Sequence, residues 1–249
     1  MIPIQYISDI HLEFRHIEEI KSIIRKIDPV CPILILAGDI GNPFYQGYRL
    51  FLEEMSKKFE KIFLISGNHE YYGGKSIEET EIQIRNISDK YNNISYLQKS
   101  YEDYKGIRFI GTTLWSNVND PTYKINDTKS IKDMSVEMYN KLHQDSVDFL
   151  TKTLEEMSDI KCSIITHHLP SYKLIDKEFL DPKVSMYNQW FAGSLDDIMI
   201  SHQDNIIGWF YGHTHRASDT VINNINTYCN PVGYKGENRS INYNKYIIL

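Results

Sequence analysis

The sequence predicts an α/β fold whose strands end at one shared site, and two observations carry that prediction. The first is a recurring event. Five short apolar runs close abruptly on glycine and metal-ligand residue types: Ile2 to Ser8 on Asp9-Ile10-His11, Ile33 to Ala37 on Gly38-Asp39, Ile62 to Ser66 on Gly67-Asn68-His69-Glu70, Cys162 to Ile165 on Thr166-His167-His168, and Trp209 to Tyr211 on Gly212-His213-Thr214-His215. Such runs have the pattern of buried strands, and open α/β sheets collect ligands at the carboxyl ends of their strands. The second is that helical periodicity fills the gaps between the early runs.

Taken in order, the first strand is followed by Ile17, Ile20, Ile23, Ile24 and Ile27 at helical spacing, and Asp28-Pro29 stops that helix before the second strand. Tyr48, Phe51, Leu52, Met55 and Phe59 form the next amphipathic stripe, ahead of a third strand at Lys61 to Ser66. Repeated β-α-β units imply parallel strands with right-handed crossovers, which bring Asp9, His11, Asp39, Asn68 and His69 to one sheet edge. Ser76 to Tyr91 is then expected as a helix and Ile94 to Leu97 as a short strand. Tyr101 to Tyr104 and Ile107 to Leu114, around Lys105-Gly106, predict a hairpin and hence antiparallel pairing.

Trp115 to Asp133 is a long polar loop holding Asn117, Asp120, Pro121, Asn126 and Asp127, of a length usually functional or mobile. A helix is expected over Ser135 to Met157. A second irregular stretch, Leu169 to Gly193, carries Tyr172, Phe179, Tyr187, Trp190 and Phe191. Ser194, with Asp197 three residues on, predicts the N-terminus of a short helix. Thr220 to Ile222, a turn at Asn223-Asn224, Ile225 to Cys229, the loop Asn230-Pro231-Val232-Gly233-Tyr234 and a strand at Lys245 to Leu249 end the chain.

A chain of 249 residues suits one large α/β domain or two small ones. One domain over 1–249 is expected, because no linker or repeat divides the chain and any cut between 9 and 215 would cut the site. No apolar stretch approaches the ~20 residues that span a bilayer, and Met1-Ile2-Pro3-Ile4 lacks the pattern of a signal peptide. A cytoplasmic location with no membrane partner is therefore expected. Cys31, Cys162 and Cys229 fit a reducing compartment and form neither a disulfide framework nor a thiolate zinc pattern. A formal charge of -6 argues against a broad grip on long nucleic acid, though not against a nucleotide substrate.

Singly the motifs are weak: Asp-x-His occurs by chance and Gly-Asp is most often a turn. Jointly they are strong, because a ligand-type residue follows each of five strands where lysine and arginine are absent. Asp9, His11, Asp39, Asn68, His167, His213 and His215 are too many groups for one first-row ion and about right for two sharing a carboxylate. Mixed nitrogen and oxygen donors without thiolate favour manganese, with iron and zinc as alternatives. Two such ions ~3.5–4 Å apart clamp the attacking and leaving oxygens of an in-line phosphoryl displacement and ionise a bound water.

The ordered set Asp9-x-His11, Gly38-Asp39, Gly67-Asn68-His69-Glu70, Thr166-His167-His168 and Gly212-His213-Thr214-His215 resembles the calcineurin-like metallophosphoesterase superfamily. The resemblance implies a four-layer α/β/β/α sandwich of two mixed β-sheets flanked by helices. It implies that Asp9, His11 and His215 bind one metal and Asn68, His167 and His213 the other, with Asp39 bridging. His69 would be the catalytic acid at the leaving oxygen or would steady the transition state. Asn42 stands where the family often has an aspartate. Of the adjacent pair, His167 is taken as the ligand, and His168 has a packing reading. Glu70 and Arg216 either orient His69 and meet phosphate or are plain surface residues. Trp115-Ser116-Asn117 and the 230–234 loop either line the pocket or serve turns and packing.

The expected function is hydrolysis of a phosphate mono- or diester by a metal-bound hydroxide, the substrate being a small phosphorylated molecule, nucleotides included. Two rivals are a silent binding scaffold, which would have lost ligands or the acid, and a nuclease, which would want a basic surface. Specificity is expected from the loops at 115–133 and 169–193, which sequence cannot resolve into a pocket.

Overall fold

The computed structural model describes residues 1–156 and 160–249. The first half alternates as expected: β1 (Pro3–Ile7), α1 (Ile17–Lys26), β2 (Ile33–Ala37), α2 (Gln46–Lys58), β3 (Lys61–Ile65), α3 (Ile77–Ser88) and β4 (Ile94–Tyr96). Local chemistry marks the helix starts. Glu19 accepts from the His16 N–H at 3.1 Å, and Ser76 and Glu79 exchange side-chain-to-backbone bonds at 3.1 and 2.8 Å. Acidic first turns and basic last turns in α1 and α3 complement the helix dipole.

The hairpin β5 (Ser100–Tyr104) and β6 (Ile107–Thr112) opens the second half, followed by α4 (Asp127–Ser130), α5 (Val136–Glu155), β7 (Cys162–Thr166), α6 (Asp196–Ser201), β8 (Ile206–Tyr211), β9 (Ser218–Ile222), β10 (Ile225–Cys229) and β11 (Tyr246–Ile248). Met157, the last position expected for the long helix, lies outside the described residues. The expected N-cap is displaced: α6 opens on Leu195 with no side-chain cap, and Ser194 is exposed. Burial decides this, because Leu195 goes into the core beside Met199 and so sets the register of the first turn.

Two mixed sheets result. The first has the order β11-β1-β2-β3-β4, with β1 to β4 parallel and β11 antiparallel on the edge. The second has the order β5-β6-β7-β8-β10-β9, with a parallel centre and antiparallel β5 and β9 outside. Their alternating side chains build the layers. Ile33, Ile35 and Ala37 of β2 point between the sheets to meet Phe109, Ile165 and Phe210, while Leu34 and Leu36 face α1 and α2. Ile164 and Trp209 pack on Leu150 and Leu154 of α5. Helices thus flank two stacked sheets, as the resemblance implies. Among the described residues no helix is long and apolar enough to cross a membrane.

One buried histidine ties this packing to pH. His143 on α5 donates from Nδ1 to the Leu114 carbonyl at 3.1 Å, and burial holds its pKa below the usual value. The unfolded chain takes up this proton near pH 6.5 and the folded chain resists it. Stability from this residue is therefore full above about pH 6.5 and falls as pH drops toward the folded pKa. His143→Asn keeps a donor and removes the titration. Denaturant unfolding at pH 7.5 and 5.5 should show the wild type losing more stability than the variant over that interval, and equal losses would refute this role.

Candidate metal centre

The strand ends are built from unusual backbone. Asp9, His11, Asp39, His213 and His215 all have positive φ, between 51° and 69°. That left-handed region is unfavourable for residues with a Cβ and persists only where the surroundings over-determine it. Here they do. Asp9 N–H donates to the Gly38 carbonyl and His11 N–H to the Asp39 carbonyl, both at 3.0 Å. The Asp9 carboxylate accepts from His213 N–H at 3.0 Å, and Asp39 Oδ1 accepts from His69 N–H at 2.8 Å. Gly67 is required by close approach: a Cβ there would overlap Asp39 Oδ1 and come within 2.6 Å of Asp39 N.

All seven expected ligands come together. His11 Nε2 lies 2.9 Å from His215 Nε2 and 3.8 Å from Asp39 Oδ2, and His215 Nε2 lies 3.5 Å from Asp9 Oδ1. On the other side His167 Nε2 is 3.3 Å from Asp39 Oδ2 and 3.2 Å from Asn68 Oδ1. Three overlapping groups, Asp9-His11-His215, His11-Asp39-His69 and Asp39-His167-His213, each keep their donor atoms within 4.8 Å of one another. His213 Nε2 is buried with no hydrogen-bond partner among the described residues. A buried, orphaned imidazole nitrogen on a residue whose donor group closes with Asp39 and His167 fits a cation, and the thiolate-free donor set fits manganese, iron or zinc.

Four Nδ1 atoms around the cluster are spoken for. Nδ1 of His11 and of His69 both donate to Glu13 Oε1, at 3.1 and 3.0 Å, His167 Nδ1 donates to the Ala37 carbonyl at 2.9 Å, and His215 Nδ1 to Glu237 at 2.8 Å. Such bonds fix the ring orientation and leave each Nε2 for the site. Asn68 is oriented likewise: Nδ2 donates to Asp127 Oδ1 at 2.8 Å, which turns Oδ1 inward. Glu13, Asp127 and Glu237 escape sequence reasoning as site residues, although Glu13 continues the alternate spacing of Asp9 and His11, and Asp127 stands in the long polar loop. Tyr234, from the 230–234 loop, brings its hydroxyl to 3.3 Å from His69 Nε2, and its ring lies tilted against His11 and edge-on to His215.

Other candidates lie off the cluster. His168 donates to the Thr113 carbonyl and pairs with Tyr139 at 2.9 Å. Asn42 bridges the Tyr72 carbonyl and the Phe44 N–H. Trp115 packs against Tyr71, Tyr139 and His168, and Ser116 is buried. Glu70 neither orients His69 nor faces solvent. Fully buried, it accepts from the N–H groups of Asp39, Ile40, Gly41 and Gly67 and so clamps two loops together. Arg216 pairs with Glu178 and Glu237.

Electrostatics separate the groups. Burial opposes charge on His167, yet the Asp39 carboxylate outweighs it and the pKa rises to about 10. His215 rises to about 9 against the same burial through Asp9 and Glu237. Burial and neighbouring imidazoles hold His213 well below its usual value. For His69, burial is overcome by Asp39 and Glu13, and its pKa is raised. Glu13, despite burial, is held below the carboxylate range by the two imidazoles it serves.

Two mixed sheets that gather imidazoles and carboxylates from five strand ends define a metallophosphoesterase-type protein. The calcineurin-like phosphoesterase family profile matches residues 2–217, and the chain belongs to that family, which is dinuclear-metal dependent. An uncharacterized protein, L509, of Acanthamoeba polyphaga mimivirus is 32% identical over 272 residues, covering 98% of this chain and 95% of its own. The phosphopantetheinyl hydrolase PptH of Mycobacterium tuberculosis superposes with a TM-score of 0.78 at 16% identity, covering 98% of this chain and 95% of that one. A dimetal phosphatase from Danio rerio gives 0.54 at 14% identity over 92% and 86% of the chains. At those identities the two structures are alike in fold.

Proposed function

We propose that this protein is a phosphohydrolase that cleaves small phosphate mono- or diesters, nucleotides included, with two transition-metal ions. The observation that carries the reading is the set of donor groups that overlap through His11 and Asp39, together with the orphaned His213 nitrogen. Asp9, His11 and His215 would hold one ion and Asn68, His167 and His213 the other, with Asp39 shared between them. Bound there, the ions polarise phosphate oxygens and make water nucleophilic near neutral pH. The oxygen of water bonds to phosphorus as the ester P–O bond breaks, and the departing alcohol oxygen takes a proton from His69. His69 is suited to hold that proton because Glu13 and Asp39 raise its pKa. A silent scaffold is disfavoured, since such a protein would be expected to lose ligands or the acid. The buried free thiols of Cys31, Cys162 and Cys229 favour a reducing, cytoplasmic setting.

A screen of aryl phosphate mono- and diesters with Mn²⁺, then nucleotides, cyclic nucleotides and a phosphopantetheinyl ester, tests the reading. No turnover of any class by metal-loaded protein would count against it. Glu13→Gln offers a finer check. The acid works while protonated, so the rate falls as pH rises through its pKa. Removing the Glu13 charge removes part of what favours the imidazolium, so the alkaline limb should move to lower pH. An unmoved limb would detach Glu13 from the acid.

A further inference from the structure

Beside the cluster, the two long irregular segments enclose a cavity of about 290 Å³ walled by Ile125, Ile175, Phe179, Val184, Tyr187 and Phe191. Its polar contributors, Asn188 and Thr214, are uncharged, and the Asn188 amide already donates to the Phe179 carbonyl at 2.8 Å. The cavity adjoins the metal centre. Ile125, Phe179, Phe191 and Thr214 also line the pocket that holds Asp39, Asn68, His69, His213 and His215, and the Phe191 ring lies 4.6 Å from that of His213. The same stretch leaves Tyr172, Leu180, Val184 and Tyr187 between 38% and 57% exposed, an apolar concentration of the kind that marks binding surfaces.

We infer that this cavity receives the apolar ester group of the substrate, making the preferred substrate a phosphate ester of an alkyl or aryl alcohol rather than a sugar phosphate or polyphosphate. The inference rests on the phosphohydrolase reading. With phosphate held at the cluster, the substituent on the ester oxygen continues into the adjoining wall. A sugar placed there would surrender its water hydrogen bonds to a surface with little to replace them. A second space beside His11, lined by Phe14, Arg15, Tyr234 and Lys235, is a poorer candidate for a charged group. Its cations are committed, Arg15 to the Ile10 and Gly233 carbonyls and Lys235 to Glu19.

Calorimetric titration of the Mn²⁺-loaded protein with methylphosphonate, hexylphosphonate and adenosine monophosphonate reads the cavity without turnover. Each methylene buried is worth roughly fourfold in affinity, so hexylphosphonate should bind at least tenfold tighter than methylphosphonate, with a more negative heat-capacity change. Val184→Asp, at a half-exposed wall position, should erase most of that preference, while Val221→Asp on the exposed edge strand β9 should keep it. Equal affinities, binding of neither, a stronger preference for the nucleoside, or a preference that survives Val184→Asp overturns the inference. The two readings fail separately. Selective hexylphosphonate binding with no ester turned over removes the hydrolase and keeps the cavity, whereas turnover indifferent to the ester group removes the cavity role and keeps the hydrolase.

Discussion

Asp39→Asn is expected to reduce turnover by well over 10²-fold, more than the 10–100-fold that loss of an outer-shell partner typically costs at a metal site. The magnitude follows from position. Asp39 Oδ2 lies 3.3 Å from His167 Nε2 and 3.8 Å from His11 Nε2, one imidazole from each proposed ligand set, while Oδ1 holds the His69 N–H. An amide keeps the shape and loses the charge that both cations would share. Chelation should likewise abolish hydrolysis by the wild type, and Mn²⁺ should restore it. Asn42→Ala is the control. Asn42 serves the Tyr72 carbonyl and the Phe44 N–H and reaches no member of the cluster, so its loss should cost much less. Metal analysis alongside kinetics separates lost occupancy from lost activity. Undiminished turnover in a verified metal-free preparation would end the dinuclear reading.

The second large effect separates the acid from the metals. His69 follows Asn68 in the chain, its N–H is held by Asp39 and its Nδ1 by Glu13, so it is fixed beside the cluster by three constraints. A positioned proton donor contributes ~10²–10⁴-fold, most when the departing alkoxide is strongly basic. Para-nitrophenolate is a stable anion and barely needs the proton. His69→Ala should therefore retain both metals and slow an alkyl or nucleoside ester by that factor, with a much smaller loss on the aryl ester. If His69 only braces the loop, metal occupancy falls and both ester classes slow alike. Retained metals with equal losses point instead to electrostatic stabilisation of the phosphoryl oxygens.

What the sequence determined by itself is the frame. Short apolar runs and helical stripes are local properties, so strands, helices and their order follow from residues within a few positions of one another. That is why Asp9, His11, Asp39, Asn68, His167, His213 and His215 stand out at strand ends, and why the motif order resembles a family to which the chain proves to belong. Local patterns misplace only what burial decides, as where Leu195 rather than Ser194 caps α6.

The supporting shell was decided by tertiary structure, because its partners meet across long stretches of chain. Glu13 reaches His69 across 56 positions, Asp127 turns Asn68 inward across 59, and Tyr234 approaches His69 across 165. Glu70 is adjacent to His69 in sequence yet points away to four backbone N–H groups. The backbone between them, not their proximity in the chain, sets which way each side chain faces. The apolar cavity has the same origin: Ile125 and Phe179 belong to segments without periodicity, and only folding the two together over the carboxyl ends of the strands makes a wall.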